Sequence, residues 1–84
     1  MLSKDDLWNQ IKADFQKDDD ISSLGFSTWI DVAKPIDLKN HIMTIQLPSP
    51  LHRDYWKQHL APKFVEYAYS VSYTHLRAHE TLAN

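Results

Sequence analysis

Leu7, Ile11 and Phe15 recur at four-residue steps, with Trp8 beside them and polar side chains filling the positions between. That period puts the three on one stripe of an amphipathic helix. Ser3-Lys4-Asp5-Asp6 supplies its start, because a serine can accept from first-turn amides and carboxylates suit the positive end of the helix dipole. The pattern ends near Lys17, and Asp18-Asp19-Asp20 reads as a polar connector.

Phe26, Trp29 and Ile30 then fall at i, i+3 and i+4, behind Ser22 or Ser23 as a cap, which predicts a short second helix. Gly25 weakens that helix by about 1 kcal/mol relative to alanine, so packing of Phe26 and Trp29 has to hold it. Val32 to Leu38 is β-leaning but carries Pro35, which confines it to an edge or a bulge. A turn at Lys39-Asn40-His41 leads into Ile42-Met43-Thr44-Ile45-Gln46-Leu47. Met43, Ile45 and Leu47 share one face of that strand, which suits a sheet covered by helices.

Pro48-Ser49-Pro50 is the clearest boundary, since Ser49 can cap and Pro50 fits the first helical position. Leu51, Tyr55, Trp56, Leu60, Phe64, Val65 and Ala68 then recur at helical spacing. Pro62 removes one backbone bond and predicts a kink over residues 58–61. Phe26, Trp29, Ile45, Tyr55, Phe64 and Val65 are the expected core. The order is helix, helix, strand, strand, helix, a small α+β domain. A hairpin alone is marginal, so the sheet needs a further partner.

Composition narrows the function classes. Eighty-four residues suffice for one domain, and a chain of that size buries only about 60% of its unfolded surface. A net charge of −2 opposes a main role in gripping phosphate backbones, which takes many Lys and Arg contacts. The single glycine excludes a P-loop and a dinucleotide fingerprint. Zero cysteines exclude disulfides and cysteine zinc sites. No apolar run reaches the roughly 20 residues of a membrane span, and the first residues lack a signal-peptide layout, so a cytoplasmic location is expected.

From Val71 to Thr81 the pattern breaks. The string Val-Ser-Tyr-Thr-His-Leu-Arg-Ala-His-Glu-Thr resembles the translation of a transposon-end adapter used in short-read sequencing libraries. On that resemblance residues 71–84 are a non-native tail and the domain proper is residues 1–70. Without the tail, 8 of 9 basic and 10 of 11 acidic residues remain, 8 − 10 = −2, so the charge argument stands. The alternative is a metal site from His75 and His79 at i, i+4 on a helix, but Glu80 lies outside the pair, unlike HExxH, and no third ligand is evident. An alternating Val71 and Tyr73 could also let the tail stand in as a strand.

Leu7-Trp8, Phe26-Ser27-Thr28-Trp29-Ile30, Pro48-Ser49-Pro50-Leu51 and Asp54-Tyr55-Trp56 occur in an order and spacing that resemble the N-terminal domain of the bacterial replication initiator DnaA, over residues 4–69. Versions from lactobacilli are similar around Ala33-Lys34-Pro35 and residues 51–56. The resemblance implies a KH-like fold of two helices, a hairpin, a third helix and a final strand, here missing or replaced by the tail. It implies a non-enzymatic protein–protein interaction module with no cofactor of its own, ATP belonging to the family's separate ATPase domain. Its partners would be other initiator molecules, the replicative helicase and regulatory proteins. Trp8 falls at the family's self-association position, with Leu7 as neighbour. Trp8 as plain core is the even alternative, and an exposed Trp would favour the interface. Gly25 and Leu51 fall on the helicase and regulator surface, although Gly25 offers backbone only where some relatives carry an acid, and Leu51 could simply pack. The runner-up function is a weak single-stranded DNA binder, opposed by the acidic balance and the lack of a GXXG loop. His41, His52 and His59 read as solvated side chains, and Asp18 to Asp20 lacks the spacing of a calcium loop.

Overall fold

The computed structural model describes residues 3–73 and 75–82. Met1 and Leu2, and the tail residues Thr74, Ala83 and Asn84, lie outside them. The Ser3 hydroxyl accepts from the Asp6 amide at 3.1 Å and opens helix α1 (Lys4–Gln16). Its inward side buries Leu7, Trp8, Ile11 and Phe15.

Ser22 caps a short helix α2 (Ser23–Gly25) by accepting from the Gly25 amide at 3.0 Å. The helix continues as a wider π-helical turn (Phe26–Ile30), in which Asp31 donates to the Phe26 carbonyl five residues back. This widening buries Ile30 fully and leaves Phe26 and Trp29 half-buried against the core.

Strands β1 (Lys34–Lys39) and β2 (Ile42–Leu47) pair antiparallel, with a register shift between Pro35 and Asp37. Pro35 thus sits on an edge strand beside a bulge, as a proline must. Asn40 and His41 connect them with φ of 53° and 63°. Positive φ at both central residues is what a tight two-residue hairpin requires.

Ser49 accepts from the His52 amide at 3.2 Å and Pro50 opens helix α3 (Pro50–Tyr55). A second π-helical turn (Trp56–Leu60) joins it to α4 (Ala61–Ser72). The irregularity falls where Pro62 withholds its backbone bond, at the expected kink, and takes the form of an extra residue in the turn. Val71 and Ser72 extend α4, and Tyr73 ends it at φ 57°. The tail does become a strand, β3 (Arg77–Leu82), further along than the Val71/Tyr73 alternation suggested. It pairs parallel to β2, giving the order β1-β2-β3. His79 therefore lies on a strand and His75 packs on the Tyr69 ring, so the helical i, i+4 metal reading fails. Among the described residues no cluster of three or more His, Cys, Asp or Glu could hold a metal.

The helices cover one face of the mixed sheet, and the core lies between the layers. Ile45 and Phe64 are fully buried as expected, while Tyr55 is half-buried. Val65 is a correction: it is half-buried outside the central group, and Trp56, with no exposed surface, takes the middle. Trp56 meets Trp8 at 5.9 Å, Phe15 at 5.7 Å and Phe64 at 6.4 Å between ring centroids. Among the described helices none is long and apolar enough to cross a membrane.

Candidate interaction surface

Both ends of α3 are bolted to the turn after α2. Trp56 donates its indole N–H to the Trp29 carbonyl at 2.6 Å, a buried donor meeting an acceptor that the π-helical turn leaves free. The His52 ring lies between two partners, Nδ1 at 2.6 Å from Ser49 Oγ and Nε2 at 3.0 Å from the Thr28 carbonyl. A carbonyl only accepts, so Nε2 donates to Thr28. His52 is thus a half-buried structural link, not a solvated side chain. Trp29 stacks on Tyr55 at 4.2 Å and 9°, and Tyr55 meets the exposed His59 at 4.8 Å. Rigid aromatic rows of this kind form platforms whose side chains lose little entropy when covered.

Two leucines stand out from these elements, Leu24 at 77% exposure on α2 and Leu51 at 67% on α3. Leu51 therefore does not pack within the domain. Gly25, beside Leu24, has helical backbone and is half-buried. A Cβ there would meet Ser22 Oγ at 3.2 Å, so any side chain crowds the capping hydroxyl.

Leu7 and Trp8 are placed differently from an exposed anchor pair. They retain 3% and 4% exposure, and Trp8 packs on Trp56 and Phe64. Burial removes the argument that an exposed Trp8 would have supplied for self-association.

Asp18 departs from the connector reading. Its carboxylate accepts from Lys63 at 2.8 Å, from the Tyr67 hydroxyl at 2.5 Å and from the Asp20 amide at 2.9 Å. These bonds, the Lys63 one foremost, lower its pKa to about 2. Burial and the bond to Asp18 push Tyr67 up to about 12, and the same carboxylate raises Lys63. The cluster latches the end of α1 to α4. Nothing in three consecutive aspartates distinguishes the one that does this, and its partners lie 45 and 49 residues away.

No protein-family profile matches the chain. The chain is 50% identical over 68 residues to the chromosomal replication initiator protein DnaA of Levilactobacillus brevis, covering 80% of this chain. It is 43% identical over 77 residues, 92% of the chain, to the same protein of Lactiplantibacillus plantarum. The chain is homologous to a segment of DnaA. A third DnaA, from Latilactobacillus sakei, is 42% identical over 64 residues, 76% of the chain. The chain spans only 14–16% of the length of these three DnaA relatives. The helices and the three-stranded mixed sheet make it a small α+β domain, as expected.

Proposed function

We propose that this chain is a protein–protein interaction module of a replication initiator, recruiting the replicative helicase or regulatory proteins through the surface formed by α2, the turn that follows it and the start of α3. The observation that carries this is the pair of exposed leucines, Leu24 on α2 and Leu51 on α3, flanking the turn that the Trp56–Trp29 and His52–Thr28 bonds hold against α3. Exposed apolar side chains on a rigid support lose little ordering entropy when a partner covers them. Homology to DnaA supports the reading by placing the segment in an initiator.

Gly25 lets a partner approach the α2 backbone, so this version of the contact is apolar where an acidic residue would make it electrostatic. Self-association through Leu7 and Trp8 belongs to the same proposal in a restricted form. With Trp8 in the core, α1 contributes its outward residues and Trp8 acts by holding the helix in place.

The test is binding of the immobilised 84-residue chain to purified replicative helicase from a lactobacillus, with Leu51→Asp and Leu24→Asp as variants. Both sites are exposed, so both variants keep the fold. Each weakens binding by about tenfold or more, the scale of losing an interface anchor of about 1.4 kcal/mol. Unchanged affinity in both variants would refute the assignment.

A further inference from the structure

The two edges of the sheet differ in kind. On β1 the free edge is blunted by Pro35, which has no N–H to offer, by the register shift between Pro35 and Asp37, and by Lys34 and Lys39. Devices of this sort keep an edge from pairing with another chain. β3 forms the other edge, since it pairs with β2 alone, and its six residues carry no proline and no register shift. Arg77 donates its backbone N–H to the His41 carbonyl at 2.9 Å, so its backbone points at β2. Backbone groups alternate in direction along a strand, so His79 and Thr81 follow Arg77, and the N–H and C=O of Ala78 and Glu80 point away from the sheet. Among the described residues nothing bonds to these outward groups.

We infer that β3 is a self-pairing edge, to which a second copy of this chain adds its own β3 antiparallel about a two-fold axis at His79, making one continuous sheet of the two. The contact is separate from the α1 and the α2–α3 surfaces. A two-fold axis perpendicular to the sheet keeps the helices of both copies on one side and sets each residue opposite one of the same face. With the axis at His79, Ala78 of each copy lies opposite Glu80 of the other, and these are the residues whose free N–H and C=O point outward, so the pair exchanges both backbone bonds. Arg77 lies opposite Thr81, and no like charges meet. An axis at Glu80 would set two carboxylates opposite one another, which is repulsive. Charge also favours the first register. The open hollow beside Ala78 is lined by Lys57, Pro62 and Val65, and among the described residues Lys57 pairs with no carboxylate. Glu80 of the second copy, directly opposite Ala78, brings a carboxylate to that hollow.

The test uses the full 84-residue chain, which has no cysteine of its own. His79→Cys places a thiol on each side of the axis, where opposite residues that exchange no backbone bonds have Cα atoms about 4.5 Å apart, within the span of a disulfide. Lys39→Cys is the control, exposed as well but on the blunted edge. Under mild oxidation His79→Cys forms the disulfide-linked dimer about tenfold or more faster than Lys39→Cys. Ala78→Pro withdraws one outward N–H and leaves the bonds of Arg77 and His79 to β2 in place, which slow amide exchange at those two residues verifies. In sedimentation equilibrium at up to about millimolar protein, as suits so small a contact, this variant self-associates about tenfold or more weakly. Equal rates for the two thiols overturn the proposal, and that comparison stands whether or not Ala78→Pro keeps β3 in place. A sedimentation profile that Ala78→Pro leaves unchanged overturns it too.

Discussion

Trp8→Ala tests the placement of the residue that a self-association role would most want on the surface. Trp8 is 4% exposed and touches two aromatic rings, Trp56 at 5.9 Å and Phe64 at 6.5 Å. Truncating a buried tryptophan to alanine costs about 3–5 kcal/mol, through lost transfer energy and the cavity left behind. For 84 residues the whole stability is roughly 4–13 kcal/mol at the usual density per residue. The variant therefore gives up about a quarter or more of what holds the domain. At about 4–8 °C per kcal/mol for a domain of this size, its Tm falls by roughly 12–40 °C. Urea melts followed by near-UV circular dichroism read this directly, since the Trp8–Trp56–Phe64 cluster dominates that signal. A loss below about 1 kcal/mol would show that Trp8 is not in the core and would restore it as a surface anchor. The consequence for association assays is practical: any dimer lost in Trp8→Ala is lost together with the fold, so only exposed positions report on the interface.

Asp18→Asn removes the charge from the latch to Lys63 and Tyr67 and costs about 1–2 kcal/mol at pH 7, measured by chemical denaturation. Asp18 has its folded pKa lowered from 3.8 to about 2, so its contribution is complete above about pH 5 and is lost as pH falls through 4 towards 2; the parent loses about 2 kcal/mol more than Asp18→Asn over that window, and parallel pH profiles would refute the latch. His41 sits at φ 63° in the hairpin turn, where a side chain is strained by about 1 kcal/mol, so His41→Gly raises stability by about 0.5–1 kcal/mol in the same assay, and a decrease would refute the turn geometry.

The parts of the fold that local chemistry dictates were readable residue by residue. Ser3, Ser22 and Ser49 each accept an amide bond at the helix start where a cap was expected. Pro35 forced a bulge and Pro62 an irregular helix, because each lacks a donor that the regular ladder needs. Periodicity was weaker at the stripe's margin. Leu7, Ile11 and Phe15 define the centre of the buried arc of α1, but Trp8 lies one residue off it, and whether it is covered depends on how far α4 wraps around. The second π-helical turn supplies Trp56 and α4 supplies Phe64 to cover it, a fact carried by distant residues. The same holds for Asp18, whose role is set by Lys63 and Tyr67 across the domain. Leu51 was singled out by family position, while Leu24 gave no signal beyond an apolar residue off the helical stripe.

The central claim is that the helicase meets α3 and the turn after α2, and not α1. Chemical-shift mapping of the 15N-labelled chain against the replicative helicase tests it most directly. The account predicts that shifts and broadening concentrate at Ser23–Gly25 and at Leu51–Tyr55, and that Leu51→Asp abolishes them while the Trp8 indole signal stays unmoved. Perturbations confined to Lys4–Gln16, with those segments silent, would contradict it.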